Sequence, residues 1–322
     1  MSAAPTSRRV LGGGLAPALA AGGALALLAA PWGIPLAGPL LTLFAPLPLV
    51  LAYSLRGARA GRLALLLAAG ATFLLMQVAQ PLAGSYYLVY FFALSLVLGE
   101  ALCRGLREDW AVAGAAGAGM LAVFILLLIG SLVLGRGPWQ LWQDQWQNEL
   151  TVVLQMYRGT GLDEAAMNQL RQTLEQIGRL VLRLAPGILA TASLLVAWVN
   201  LLLVRRLGRR ARPQPAGGDL TQFRAPERLV WVLIAAGAVM VFAQGWLFWA
   251  GANLVLALGT VYFFQGMAVL AYWLKKKNAP ALLRVSIYVL VVMEFFLAVI
   301  IAAAGLFDIW FNLRRQGQEP AA

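Results

Sequence analysis

The chain has 322 residues, 61% of them hydrophobic and only 12% charged, with a formal net charge of +12. Soluble globular domains carry roughly 25% charged residues, so this composition excludes that class and points to a membrane protein. There is no histidine and only one cysteine, Cys103. The first absence removes Ser-His-Asp triads, Cys-His pairs and nearly every zinc site, and the second removes any disulfide within the chain.

Crossing a hydrocarbon core of about 30 Å takes roughly 20 apolar residues as a helix. That ruler predicts nine spans: Val10 to Ala30, Leu36 to Leu55, Leu63 to Leu82, Tyr86 to Cys103, Trp110 to Leu134, Leu184 to Val204, Arg228 to Trp249, Asn253 to Leu274, and Leu282 to Leu306. Pro17, Pro31, Pro35, Pro39, Pro46 and Pro48 interrupt the first two, so one of them is a candidate for a broken or re-entrant segment. The start, with Arg8 and Arg9 before an apolar run, has the look of a signal peptide, even a twin-arginine one. A first span flanked by positive charge is the simpler reading.

The stretch "GPWQLWQDQWQNEL", Gly137 to Leu150, is the first polar segment of any size. Trp139, Trp142, Trp146, Leu150, Val153 and Tyr157 recur at helical spacing, so the tryptophans share one face of an amphipathic helix. Pro138 suits its first turn. A second stripe follows, with Ala166, Leu170, Leu174, Ile177 and Val181. Two arrangements fit equally: the rings anchor at the membrane surface, or the two stripes pack together as a hairpin.

The basic residues fall between spans, 18 toward one side and 7 toward the other. The positive-inside rule makes the richer side cytoplasmic and places the N-terminus there. Arg314 and Arg315 fit the far side poorly, so an eight-span arrangement is the alternative. The expectation is an all-α polytopic protein of the bacterial inner membrane in three parts. Residues 1–136 form a five-span bundle, residues 137–183 an extracytoplasmic amphipathic hairpin, and residues 184–322 a four-span bundle with a basic loop at 205–227.

Little conventional chemistry remains. Lys275, Lys276 and Lys277 are the only lysines, and none follows a glycine, so no Walker A loop exists. No enzyme, cofactor, metal or nucleic-acid partner is expected; the lipid bilayer is. Within the spans, Glu294 lies about 18 Å into the ninth by helical rise, among apolar neighbours. Counting down the antiparallel eighth span brings Gln265 to a similar depth, so the two are expected to meet as a proton or ligand site. A carboxylate there is costly and needs a partner, a cavity or a proton. The competing role is a plain interhelical hydrogen bond. Gln77, Asn200 and Gln244 suit helix-to-helix bonding, and Glu100 is placed to pair with Arg104 one turn on.

Several stretches resemble a known family. "LAPGIL" (Leu184 to Leu189), Asn200 before "RRL", "FRAPERLVW" (Phe223 to Trp231), "KKKNAPALLR" (Lys275 to Arg284) and "GLFDIWFNLR" (Gly305 to Arg314) are similar to the YybS-like bacterial membrane proteins. Those proteins share domain of unknown function 2232, so the resemblance implies a multi-pass fold and no catalytic roles. The segment Ala45 to Gly70 resembles, more loosely, the substrate-binding subunits of energy-coupling-factor transporters and the MreD group. Two functions follow as expectations: binding of an unidentified small molecule related to transport, without an ATPase of its own, or a scaffold for other membrane or envelope proteins.

Overall fold

The computed structural model describes residues 12–34, 37–78, 85–158, 163–211 and 223–314, and every element among them is helical. The tail past Arg314, Arg8 and Arg9 of the signal-like start, and residues 212–222 of the basic loop lie outside them. In chain order the helices are α1 Gly12–Gly33, α2 Gly38–Thr42, α3 Pro46–Arg56, α4 Ala58–Val78, α5 Ser85–Cys103 and α6 Glu108–Leu134. They continue as α7 Pro138–Arg158, α8 Glu164–Ala211, α9 Arg228–Phe242, α10 Trp246–Lys276, α11 Ala281–Met293 and α12 Phe295–Phe311.

Among the described residues, fewer than nine stretches have the length and composition of a span. Four stretches are long and apolar enough to cross a bilayer: Gly38–Arg56, Glu108–Leu134, Glu164–Gly208 and Trp246–Lys276. The pair α11 and α12, bent by 103° at Glu294, meets the same criterion only when taken together, as a broken span or a re-entrant loop. Leu15–Pro31, Leu88–Cys103 and Arg228–Phe242 are apolar but shorter. The expected second span is divided into α2 and α3 by a turn at Leu43 to Ala45, just before Pro46. The expected sixth span is the second part of the 48-residue α8, which also absorbs the second amphipathic stripe. The expected ninth span breaks in its middle.

Ion pairs mark one end of the bundle. Arg62 grips Glu100 with two hydrogen bonds of 2.6 and 2.9 Å, while Arg104, the partner expected from sequence, stands at 3.9 Å. Arg205 of α8 meets Glu108 of α6 at 2.8 Å. The core between the ends draws on both halves of the chain: Val50, Leu94, Leu98, Leu201, Val204 and Phe264 are in one buried cluster. Trp198 of α8 stacks on Phe264 of α10 at 4.4 Å between ring centroids. Inside a bilayer such contacts act through close packing, because lipid tails are as apolar as the side chains.

Polar side chains in this core repair broken backbone. A proline deletes an N–H donor and strands a carbonyl, which is expensive without water. Pro46 lies three residues after Leu43, and Asn200 of α8, fully buried, donates to the Leu43 carbonyl at 2.8 Å and to Val196 of its own helix at 2.8 Å. Pro186 sits inside α8. There Asn253 of α10 enters the ladder on both sides of the break: its Oδ1 accepts from Gly187 N at 2.6 Å, and its Nδ2 donates to the Arg183 carbonyl at 2.9 Å. Those two backbone groups would bond each other in an unbroken helix.

The three tryptophans of α7 divide their roles. Trp139 is 48% exposed. Trp142 packs against the main core cluster. The Trp146 indole fills the space a side chain at Gly178 of α8 would need, so only glycine lets the two helices come this close. Leu150, on the same stripe, is buried.

Candidate functional site

Two short helices share the length of α10. The Gly266 backbone of α10 lies against the Ile301 carbonyl of α12, and Gly305 of α12 against the Tyr262 carbonyl; a Cβ at either glycine would collide. That register makes α12 antiparallel to α10 and covers the half nearer Lys275. On the other half, Gly251 faces the Ala236 carbonyl, and Val230 shares a buried cluster with Tyr262. So α9 is also antiparallel to α10. At 15 and 17 residues, α9 and α12 are about 22 and 25 Å long, each short of a 30 Å core. Both run the same way, and the C-terminus of α12 meets the N-terminus of α9 beside the middle of α10.

A buried polar cluster occupies that junction. Asp308, in the last turn of α12, and Arg314, just beyond it, form an ion pair with side chains 1% and 7% exposed. Arg314 donates to Asp308 Oδ2 twice, from Nη2 at 2.6 Å and from Nε at 3.2 Å. Its Nη1 donates to the Phe223 carbonyl at 2.9 Å. Gln265 of α10, 1% exposed, donates from Nε2 to the same Asp308 oxygen at 3.1 Å and accepts at Oε1 from Ala225 N at 3.1 Å. The amide orientation is unambiguous, since turning it over would set oxygen against carboxylate and nitrogen against N–H. Asn312, in the left-handed conformation that ends α12, accepts from Arg224 Nη2 at 2.7 Å.

The physical logic is local. Residues 223–226 are not helical, so their backbone groups need partners, and Gln265 and Arg314 supply two of them. A carboxylate in the last turn of a helix opposes the macrodipole, and the guanidinium of Arg314 offsets that. One group is left over: Asp308 Oδ1 is buried and has no partner among the described residues. The site can therefore receive one more hydrogen-bond donor, such as a hydroxyl, an ammonium or an amide N–H.

Of the two residues singled out from sequence, Gln265 is at this site and Glu294 is not. The expected approach of Glu294 to Gln265 does not occur. Glu294 is exposed, in extended backbone between α11 and α12. The α10–α12 register carries it to about the level of Trp273, some 12 Å from Gln265 along the helix. The reason is the break itself: depth counted along an unbroken span brings Glu294 to the level of Gln265, whereas a helix restarting at Phe295 brings Asp308 there. Asn200 bonds between helices as expected. Gln244 is exposed in the turn between α9 and α10, and the side chain of Gln77 lies outside the described residues. Asp308 stood just past the end of the ninth predicted span and drew no notice. Arg314 left a trace in the sequence as the basic residue that did not fit its side, and burial in an ion pair accounts for the misfit.

The stretches Phe223 to Trp231 and Gly305 to Arg314, which carried much of the family resemblance, converge on this one cluster. No curated protein and no solved structure matches the chain. A family model, described as "Predicted membrane protein (DUF2232)", matches residues 24–309 and so takes in both short helices except the last two residues of α12. The chain belongs to the DUF2232 family of predicted membrane proteins, the YybS-like group.

Proposed function

We propose that this protein binds a small solute at the Asp308–Arg314–Gln265 cluster, as a transport-related protein without its own ATPase, and that it sits in the bacterial inner membrane with the arginine-rich end in the cytoplasm. The observation that carries the reading is the buried Asp308 carboxylate, one oxygen of which has no partner among the described residues, where two short helices meet. Ionisable groups at such depth are costly and mark substrate or ion sites in membrane proteins. Discontinuous helices, whose free ends offer backbone groups, are a recurrent way of building such sites. The free valence of Asp308 favours a ligand with an O–H or N–H group.

The test is thermal unfolding of the detergent-purified protein against amines, amides and polyols, with simple carboxylates as the contrasting panel. A stabilising compound from the donor-bearing panel, whose effect is lost in Asp308→Asn and in Gln265→Leu but kept in Glu294→Gln, supports the reading. An effect lost in Glu294→Gln alone refutes this assignment, and so does stabilisation by carboxylates only. The scaffold reading draws on α11, whose Leu282, Val285, Val289 and Val292 are all exposed. It requires proteins that co-purify with the chain and are lost when these four side chains are shortened to alanine.

A further inference from the structure

Charged residues stand exposed beside the middle of α10, one of the stretches long and apolar enough to cross a bilayer. Arg224, Glu227 and Arg228 are all exposed. Their level follows from their neighbours: Ala225 bonds Gln265 of α10, and Val230 packs at Tyr262. Gln265 lies ten residues before Lys275, about 15 Å by helical rise, and Arg228 lies deeper still. A charged side chain at the centre of a helix costs roughly 2.5–3.5 kcal/mol to place in a bilayer on insertion scales. Three such residues on one surface require water. Trp231 and Trp310, 71% and 54% exposed, flank them, and tryptophan favours the boundary between water and apolar surroundings.

We propose that an aqueous recess enters from the arginine-rich end, runs outside the inner half of α10, and ends at the junction of α9 and α12. It brings solution on that side to Arg224, Glu227 and Arg228 and, through them, to the Asp308–Arg314 pair. Access from the opposite end is closed, because α9 lies backbone-close on α10 at Gly251 and side chains of Val230, Leu233, Leu306 and Ile309 pack around Tyr262. Solution thus reaches the edge of the buried cluster from one compartment only. Arginines outnumber carboxylates in this wall, so among donor-bearing solutes the recess admits neutral amides and polyols more readily than cationic amines. The inference deepens the solute-binding reading by assigning its side of access, but it rests on the depth of these charges and not on any ligand.

Accessibility of introduced thiols tests it. The full chain carrying Cys103→Ser receives Glu227→Cys or Arg228→Cys, one at a time, with Arg104→Cys as the water-exposed reference and Ile234→Cys as the apolar one. Membrane vesicles of both orientations are treated with a charged, membrane-impermeant thiol reagent. Thiolate is the reactive form and needs water. The expected result is labelling of Glu227→Cys and Arg228→Cys from the arginine-rich side only, within about tenfold of Arg104→Cys and at least about tenfold faster than Ile234→Cys. Labelling as slow as Ile234→Cys overturns the recess and leaves these residues covered by lipid or by another chain. Equal labelling from both sides overturns the one-sided access. Using two positions guards against a variant that fails to fold. One-sided labelling without any solute-induced thermal shift would retain the recess and remove the binding function; the converse would do the opposite.

Discussion

Breaking the Asp308–Arg314 pair should cost far more than its two hydrogen bonds suggest. The side chains are 1% and 7% exposed, so little water reaches either ion. Arg314→Gln would leave the Asp308 carboxylate with Gln265 as its one remaining described donor. Asp308→Asn would give the guanidinium a neutral amide in place of the carboxylate, with its bond to the Phe223 carbonyl kept. Removing one partner of a buried pair typically costs about 3–5 kcal/mol, or roughly a hundredfold or more in the folding equilibrium. The double variant Asp308→Asn, Arg314→Gln strands no charge, so its cost should fall short of the sum by about 2 kcal/mol, within the range found for coupled neighbours. The Arg171–Glu175 pair of α8, with side chains 64% and 35% exposed, is the control; breaking it should cost at most about 0.5 kcal/mol. The assay is equilibrium unfolding in mixed micelles, followed by tryptophan fluorescence and repeated on all four variants. Additivity within about 0.5 kcal/mol, or an Arg314→Gln cost no larger than the control, would refute the claim that these two residues form a buried, coupled pair.

Other expectations follow from the same structure. Asn253→Leu should destabilise by about 1 kcal/mol, between the ~0.6 of an average membrane hydrogen bond and the ~1–3 of stranded buried groups. Adding Pro186→Ala should recover part of that loss, because Gly187 and Arg183 can then bond each other; no recovery in the same unfolding assay would count against the patch. Gly266→Ala and Gly305→Ala should each cost about 1–3 kcal/mol through overpacking of α10 on α12, whereas Gly259→Ala, with nothing within 4 Å of the added carbon, should be tolerated. Glu294→Gln should change stability by less than about 0.5 kcal/mol, as expected for an exposed position, while Gln265→Leu should cost about 1–3 kcal/mol by unpairing Ala225 N–H and exposing Asp308 to further loss. Reversal of that order would restore Glu294 as the buried group.

Membrane residence and the helical class were legible from the chain alone. They depend on local quantities, such as apolar run length and where charges interrupt it, and local quantities survive any arrangement of the helices. The face carrying Trp139, Trp142 and Trp146 was legible for the same reason, because helical spacing needs no tertiary contact. What those rings touch was not: Trp146 reached its place on Gly178 only through the return of α8. Asn200, Gln265 and Asn253 could be noticed as polar or boundary residues, but their uses could not. Each serves backbone groups far away in sequence: Leu43 for Asn200, Ala225 for Gln265, and Gly187 and Arg183 for Asn253. Glu294 was expected beside Gln265 because depth was counted along one unbroken helix, whereas Asp308 is the carboxylate that Gln265 meets. Composition says that a segment is apolar enough to enter the bilayer. Whether it crosses straight or turns by 103° in the middle depends on the surfaces it packs against, here the glycine-lined contact of α12 with α10, and only the tertiary structure decides that.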